Sequence, residues 1–247
     1  ISYYDATNGD LKVAHCPDRS CTAATLTNLD GAANNVVARS SIMTGADSRG
    51  FISYYDATNG DLRVAHCSDM ACTAATLTTI DSAGNVGQYN SVTIGADGLA
   101  LISYYDATNG DLKVAHCPDV ICTSAILTTV DHAGNVGQHS SVTIGTDGLA
   151  LISYYDVTNG DLKVVHCSDV ACTSTTPTTV DQAGNVGLYS SVAIGADGLG
   201  LISYYDETNG DLKISHCSDL TCTSATRTTL DGVGNVGQYS SVTIGAD

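Results

Sequence analysis

Two motifs hold most of the side chains capable of chemistry, and each occurs five times. The first is His-Cys, four residues, then a second cysteine. It pairs Cys16 with Cys21, Cys67 with Cys72, Cys117 with Cys122, Cys167 with Cys172 and Cys217 with Cys222, preceded by His15, His66, His116, His166 and His216. Imidazole beside thiolate is zinc-ligand chemistry. Adjacent residues on a strand point to opposite faces, however, so neighbouring His and Cys cannot easily share one ion. An even cysteine count at a fixed local spacing points instead to five short disulfides and an oxidising, extracellular compartment. The chain-entropy relation makes each such loop worth about 2 kcal/mol.

The second motif is Asp-x-Thr-Asn-Gly-Asp. It places Asp56, Asn59 and Asp61 at points that recur as Asp106, Asn109 and Asp111, as Asp156, Asn159 and Asp161, and as Asp206, Asn209 and Asp211. Carboxylates and planar amides suit pairs of sugar hydroxyls. The same residues also suit a bare structural role, since Asn-Gly supplies positive φ and a flanking Asp caps the turn. Spaced oxygen donors weakly suggest calcium, but the complete loop and terminal bidentate Glu of an EF-hand are missing. No other cofactor is expected.

These motifs sit in a 50-residue repeat whose core, ISYYDATNGDLKVAHC, appears at Ile1–Cys16, Phe51–Cys67, Leu101–Cys117, Leu151–Cys167 and Leu201–Cys217. In the third unit, Leu99–Asp106 is apolar on both faces, as a doubly covered strand should be. Asn-Gly then marks a hairpin into Asp111–Cys117, and a Thr-rich strand follows from Cys122 to Val130. Asp131–His139 reads as a crossing loop and Ser140–Gly145 as the next short strand. Four antiparallel strands in about 50 residues describe a propeller blade. The expected fold is all-β: a five-bladed β-propeller forming a single domain over 1–247, with units near 1–50, 51–100, 101–150, 151–200 and 201–247. The ring should close by the C-terminal strand pairing with the N-terminal blade, which hides two strand edges. The same pairing between molecules would give filaments.

In this topology the Asn-Gly hairpins share a face with the crossing loops. Candidate ligand contacts on those loops are Asn85, Gln88 and Tyr89, Asn135 and Gln138, Asn185 and Tyr189, and Asn235, Gln238 and Tyr239. The paired tyrosines of ISYYD read as packing between blades, and the repeated histidines as core residues. His132 and His139 occur once each and read as incidental. The first unit has AANNVVARSS (Ala32–Ser41) and carries Arg19, Arg39 and Arg49, which reads as drift.

Charge narrows the partners. Lys and Arg total 9 against 26 Asp and Glu, a formal net charge of −17. Glu207 is the one glutamate, and aspartate alone suits turns more than a merely soluble surface. Such a chain is a poor nucleic-acid binder. No run is long enough to span a membrane, and the lack of an initiating Met or signal peptide suggests a mature or excerpted product.

The five near-identical units resemble five-bladed propeller lectins of the tachylectin type in architecture, and the ISYYDxTNGDLKVAHC unit resembles repeats of large secreted bacterial proteins. Sialidases with Asp-box turns are a looser comparison, since the chain has no Trp and the GADG turn lacks their pattern. The resemblance implies a secreted, multivalent, lectin-like module that binds carbohydrate or cell-surface glycan. The alternative is a structural subunit of an extracellular fibre or surface layer. Catalysis is not expected: it needs unlike groups converging once, whereas nearly every polar residue here recurs in equivalent places.

Overall fold

The computed structural model describes residues 1–31 and 36–245, with residues 36–38 described through their backbone alone. The secondary structure of the described residues is strand and turn. Five antiparallel sheets form, each in simple chain order. In the third blade the strands run from the inside outward as Val86–Ile94, Ala100–Asp106, Asp111–His116 and Ile126–Asp131. The inner strands Val36–Thr44, Val86–Ile94, Val136–Ile144 and Val186–Ile194 surround a central channel of about 700 Å³. The five-bladed, all-β architecture is as expected.

Sequence dictates what fills the space between blades. The second strands are apolar on both faces, and Tyr54, Tyr104, Tyr154 and Tyr204 are fully buried. Each core joins neighbouring blades: Leu62, Val64 and Val86 pack with Ile102, Tyr104 and Ala115, for example. A buried Tyr hydroxyl needs an acceptor, and it finds one on the preceding blade. Tyr54 donates to Asp30, Tyr104 to Asp81, Tyr154 to Asp131 and Tyr204 to Asp181, at 2.7–2.8 Å. The single cation of the motif joins each pair, as Arg63, Lys113, Lys163 and Lys213 reach the same carboxylates at 2.5–2.6 Å. Four equivalent latches of Tyr, Asp and a cation therefore tie consecutive blades.

The N-terminal sheet shows a three-stranded ladder of Ser2–Asp5, Asp10–His15 and Thr25–Asp30. The C-terminal segment takes up the inner-strand place against the fifth blade. Val242 N donates to Ser191 Oγ at 3.2 Å, as Val192 N does to Ser141 and Val142 N to Ser91. The fifth latch would join Asp231 to Tyr3 and Lys12. Asp231 is instead exposed, and Lys12 donates to its own Asp5 at 2.5 Å. Among the described residues, then, the contacts that set Ser240–Val242 in the inner place lie on the fifth blade.

On the opposite face from the Asn-Gly hairpins, the five expected disulfides are all formed. Cys16 is bonded to Cys21, Cys67 to Cys72, Cys117 to Cys122, Cys167 to Cys172 and Cys217 to Cys222. The second cysteine of each pair departs from the expected strand. Cys21, Cys72, Cys122, Cys172 and Cys222 all take positive φ, 47–60°, a turn conformation rather than an extended one. The outer strand therefore starts later, at Ile126 in the third blade and not at Cys122. Burial also differs: Cys72, Cys122, Cys172 and Cys222 are buried, whereas Cys21 in the first unit is exposed. His66, His116, His166 and His216 each meet an aspartate of the adjacent turn through Nε2 at 2.8–2.9 Å, with Asp47, Asp97, Asp147 and Asp197 as partners. These histidines therefore serve the fold.

Candidate functional site

Four of the crossing loops end on glycines at positive φ that leave no room for a side chain. Gly87, Gly137, Gly187 and Gly237 have φ between 95° and 103°. A Cβ on any of them would lie 2.7 Å from the Cα of Leu62, Leu112, Leu162 or Leu212. Two residues later, Tyr89, His139, Tyr189 and Tyr239 also take positive φ, 52–56°, where the ladder register slips between Gln88 and Ser91, Gln138 and Ser141, and Leu188 and Ser191. Such a bulge re-aims a side chain. Here it turns one residue per blade toward the mouth of the channel.

The result is a collar. Ring centroids lie 4.5 Å apart for Tyr89 and His139, 4.5 Å for His139 and Tyr189, and 4.1 Å for Tyr189 and Tyr239. Arg39 holds the fifth place. Its guanidinium carbon lies 4.8 Å from the Tyr89 ring centroid, and Nη1 approaches His139 Nδ1 at 3.3 Å. Below the collar, channel-lining residues include Ser41, Asn90, Ser91, Ser141 and Ser191.

Burial and the Arg39 charge pull the His139 pKa down to about 4, so the imidazole is neutral near pH 7 and Nδ1 can accept from Arg39. The hydrogen bond with Tyr239, helped by burial, pushes the Tyr189 phenol up to about 12. Aromatic spokes run outward. Tyr105, Tyr155 and Tyr205 lie 6.1–6.4 Å from Tyr89, His139 and Tyr189. Their hydroxyls donate to Asn135, Asn185 and Asn235 at 2.5–2.7 Å, as Tyr55 does to Asn85.

Each crossing loop is clamped between two hairpins. Val86 N donates to Gly60 O at 2.8 Å, while Asn85 N donates to Thr108 Oγ1 of the next blade at 2.7 Å. Tyr55, Asn59, Gly60 and Asn85 thereby line a shallow concavity of about 500 Å³. Asp56, Asp106, Asp156 and Asp206 are only 1–2 % exposed. Asp56 accepts from Thr58 N, Asn59 N and Asn59 Nδ2 at 2.9–3.2 Å, so its oxygens serve the turn. This carboxylate, which would be the first ligand of the suggested calcium loop, is thus engaged within its own turn. Asp61, Asp111 and Asp161 face the reverse situation. Burial, then repulsion from Asp56, Asp106 and Asp156, raises their pKa values.

The structure thus divides the sequence-predicted residues. Asn59 and Asn85 meet at one concavity, and Gln88 donates to Asn85 at 3.2 Å. Asn59, Asn109, Asn159 and Asn209 bond alike to Asp56, Asp106, Asp156 and Asp206, so all four amides brace their hairpins. Tyr89, Tyr189 and Tyr239 leave their loops for the collar. Arg39 and His139, read as drift and as incidental, are its two unlike members. Residues 32–35 of the divergent stretch lie outside the described residues.

No protein-family model matches the sequence, and no curated protein matches it. Solved structures with a similar fold include an α-L-arabinanase from Penicillium chrysogenum complexed with arabinobiose, with a TM-score of 0.55 and 12 % identity over 77 % of this chain and 65 % of that one. An α-L-arabinofuranosidase from Fusarium graminearum gives 0.54 and 11 % over 78 % and 66 %. An exo-β-1,3-galactanase from Phanerochaete chrysosporium gives 0.52 and 11 % over 74 % and 47 %. The chain therefore spans from about half to about two thirds of these proteins, and the likeness is one of fold.

These neighbours correct the expectation of a non-enzymatic lectin-like module or an extracellular structural subunit: the three named structures that share the fold are carbohydrate-processing enzymes. The premise behind that expectation also fails. Positions equivalent in sequence converge at one mouth, and there two of the five, Arg39 and His139, differ from the three tyrosines.

Proposed function

We propose that the protein is a secreted, single-domain carbohydrate-processing enzyme that cleaves glycosidic bonds in a saccharide seated over the collar and the adjoining hairpins. The asymmetric collar carries this reading: Arg39, Tyr89, His139, Tyr189 and Tyr239 set a charged group, a neutral imidazole and three phenols around one mouth. Aromatic faces stack on sugar rings, while phenols and imidazole exchange hydrogen bonds with hydroxyls. The glycosidase identity of the fold neighbours supports the same class of substrate. The five disulfides support an extracellular setting.

Glycosidic cleavage uses one carboxyl that holds its proton and another that is ionised. On the same face, Asp61, Asp111 and Asp161 are shifted toward the protonated form. Each is the cross-strand partner of Asp56, Asp106 or Asp156. In this reading the raised carboxyl gives its proton to the leaving glycosidic oxygen while a water molecule adds to the anomeric carbon and returns a proton to the carboxylate, and Asn85 and Gln88 hold the chain. The test is release of reducing ends from β-1,3-galactan and α-arabinan oligosaccharides, repeated with a variant combining Asp61→Asn, Asp111→Asn and Asp161→Asn. Release that falls at least tenfold in the folded variant supports the assignment. Undiminished release removes these carboxyls from the chemistry.

A further inference from the structure

Arg39 is placed differently from the other cations of the blades. Arg63, Lys113, Lys163 and Lys213 each meet a carboxylate of the preceding blade at 2.5–2.6 Å. Among the described residues Arg39 makes no ion pair; its contacts are the Tyr89 face and His139 Nδ1. It is half-buried at a channel whose lining, among the described residues, is serine, tyrosine and Asn90, with no acidic residue. His139, neutral near pH 7, adds neither charge nor counter-charge. In a chain of net charge −17, a lone guanidinium above a tier of hydroxyl donors is the place where an anion is favoured.

We infer that the mouth selects saccharides bearing an anionic substituent, a carboxylate or a sulfate ester, and that Arg39 is its charged contact. The guanidinium packs over the Tyr89 ring and lines the channel, and a planar carboxylate entering there can accept two guanidinium N–H groups. Serine hydroxyls and the Tyr239 phenol complete the hydrogen bonding. The net negative field still repels anions at long range, so selectivity is local and association is slow at low salt. This inference rests on the reading of the mouth as a saccharide site.

Calorimetric titration of the full chain with trigalacturonate, its fully methyl-esterified neutral form and a sulfated galactose trisaccharide tests it, with Arg39→Gln as the variant. A charge-assisted hydrogen bond predicts at least about tenfold tighter binding of the acid than of its ester. That ratio should fall toward one in Arg39→Gln, while circular dichroism confirms the fold. Preferential binding of the sulfated sugar over its unsulfated parent, lost in the same variant, also supports the inference and identifies sulfate as the source of charge. Equal affinity for acid and ester, with no gain from sulfate, overturns it while leaving a neutral saccharide site standing. A preference that survives Arg39→Gln overturns the role of Arg39. Absence of binding to all three sugars overturns the inference, and overturns the saccharide reading with it if neutral galactan and arabinan are also left uncut.

Discussion

Replacing Asp131 by Asn should expose how the blades are held together. Asp131 is 3 % exposed and accepts from Tyr154 at 2.7 Å, Lys163 at 2.5 Å and Ala133 N at 3.0 Å. The Asn side chain keeps one acceptor for the phenol but removes the charge, leaving Lys163 8 % exposed and without its nearest counter-ion. Breaking one partner of a buried pair costs about 3–5 kcal/mol, and the retained acceptor places Asp131→Asn near about 3 kcal/mol. For a chain of this size that lowers Tm by about 6–12 °C. Asp231 is the equivalent residue on the fifth blade, but it is exposed and unlatched. Asp231→Asn should therefore change stability by no more than about 0.5 kcal/mol. Differential scanning calorimetry of both variants decides the matter. Equal losses would refute the reasoning, because they would mean that Asp231 is latched to Tyr3 and Lys12 in solution.

The same carboxylates set the acid limit. Burial raises the pKa of Asp81, Asp131 and Asp181, but bonds from Lys113, Lys163 and Lys213, tyrosine and backbone N–H outweigh it, so all three lie below the usual 3.8. Their stabilisation is complete above the unfolded-state value and is lost as pH falls through the lower folded values. Thermal melts between about pH 8 and 2 should show Tm starting to fall once pH passes below the ordinary imidazole value of 6.5, because His139 stays neutral in the fold down to about 4, and falling further in the acid limb as the latch carboxylates protonate; a Tm that is flat through the acid limb would contradict these shifts. His139 should titrate near 4 in an NMR pH series, and a midpoint at the ordinary 6.5 would mean the collar is open to water. Removing the Cys167–Cys172 disulfide by a double Ser substitution should lower stability by about 2 kcal/mol in denaturant melts, with no effect indicating that the short loop is already ordered when reduced.

Much of the fold is legible in the sequence because it is local and repeated. Asn-Gly between ISYYD and DLKVAHC specifies a hairpin, and Gly60 indeed has φ of 76°. Cysteines five positions apart specify a short loop. The latch aspartates are harder to read, since Asp81 and Tyr104 are 23 residues apart and meet only once two blades dock. The collar is hidden for a different reason. Residues 136–139 read as loop, yet Val136–Ile144 is one strand with a bulge at His139. Nothing in the local pattern marks a bulge except Gly137, whose positive φ accompanies its close approach to Leu112. Without that bulge, Arg39 and His139 have no reason to meet. Their divergence from tyrosine therefore reads as drift, and repetition conceals a unique site. On the hairpin face the misreading is the reverse. Asp56 and its copies resemble ligand contacts by type, but turn geometry draws their oxygens inward to the N–H groups of Thr58 and Asn59.

The measurement closest to the central claim compares reducing-end release by the native chain with release by a variant carrying Arg39→Tyr and His139→Tyr, which makes the collar uniform and leaves the latches and disulfides in place. Loss of activity by at least about tenfold, a barrier rise of about 1.4 kcal/mol, with Tm unchanged, is the predicted result. Undiminished release by the symmetric variant, or no release from any oligosaccharide by the native chain, would contradict the account.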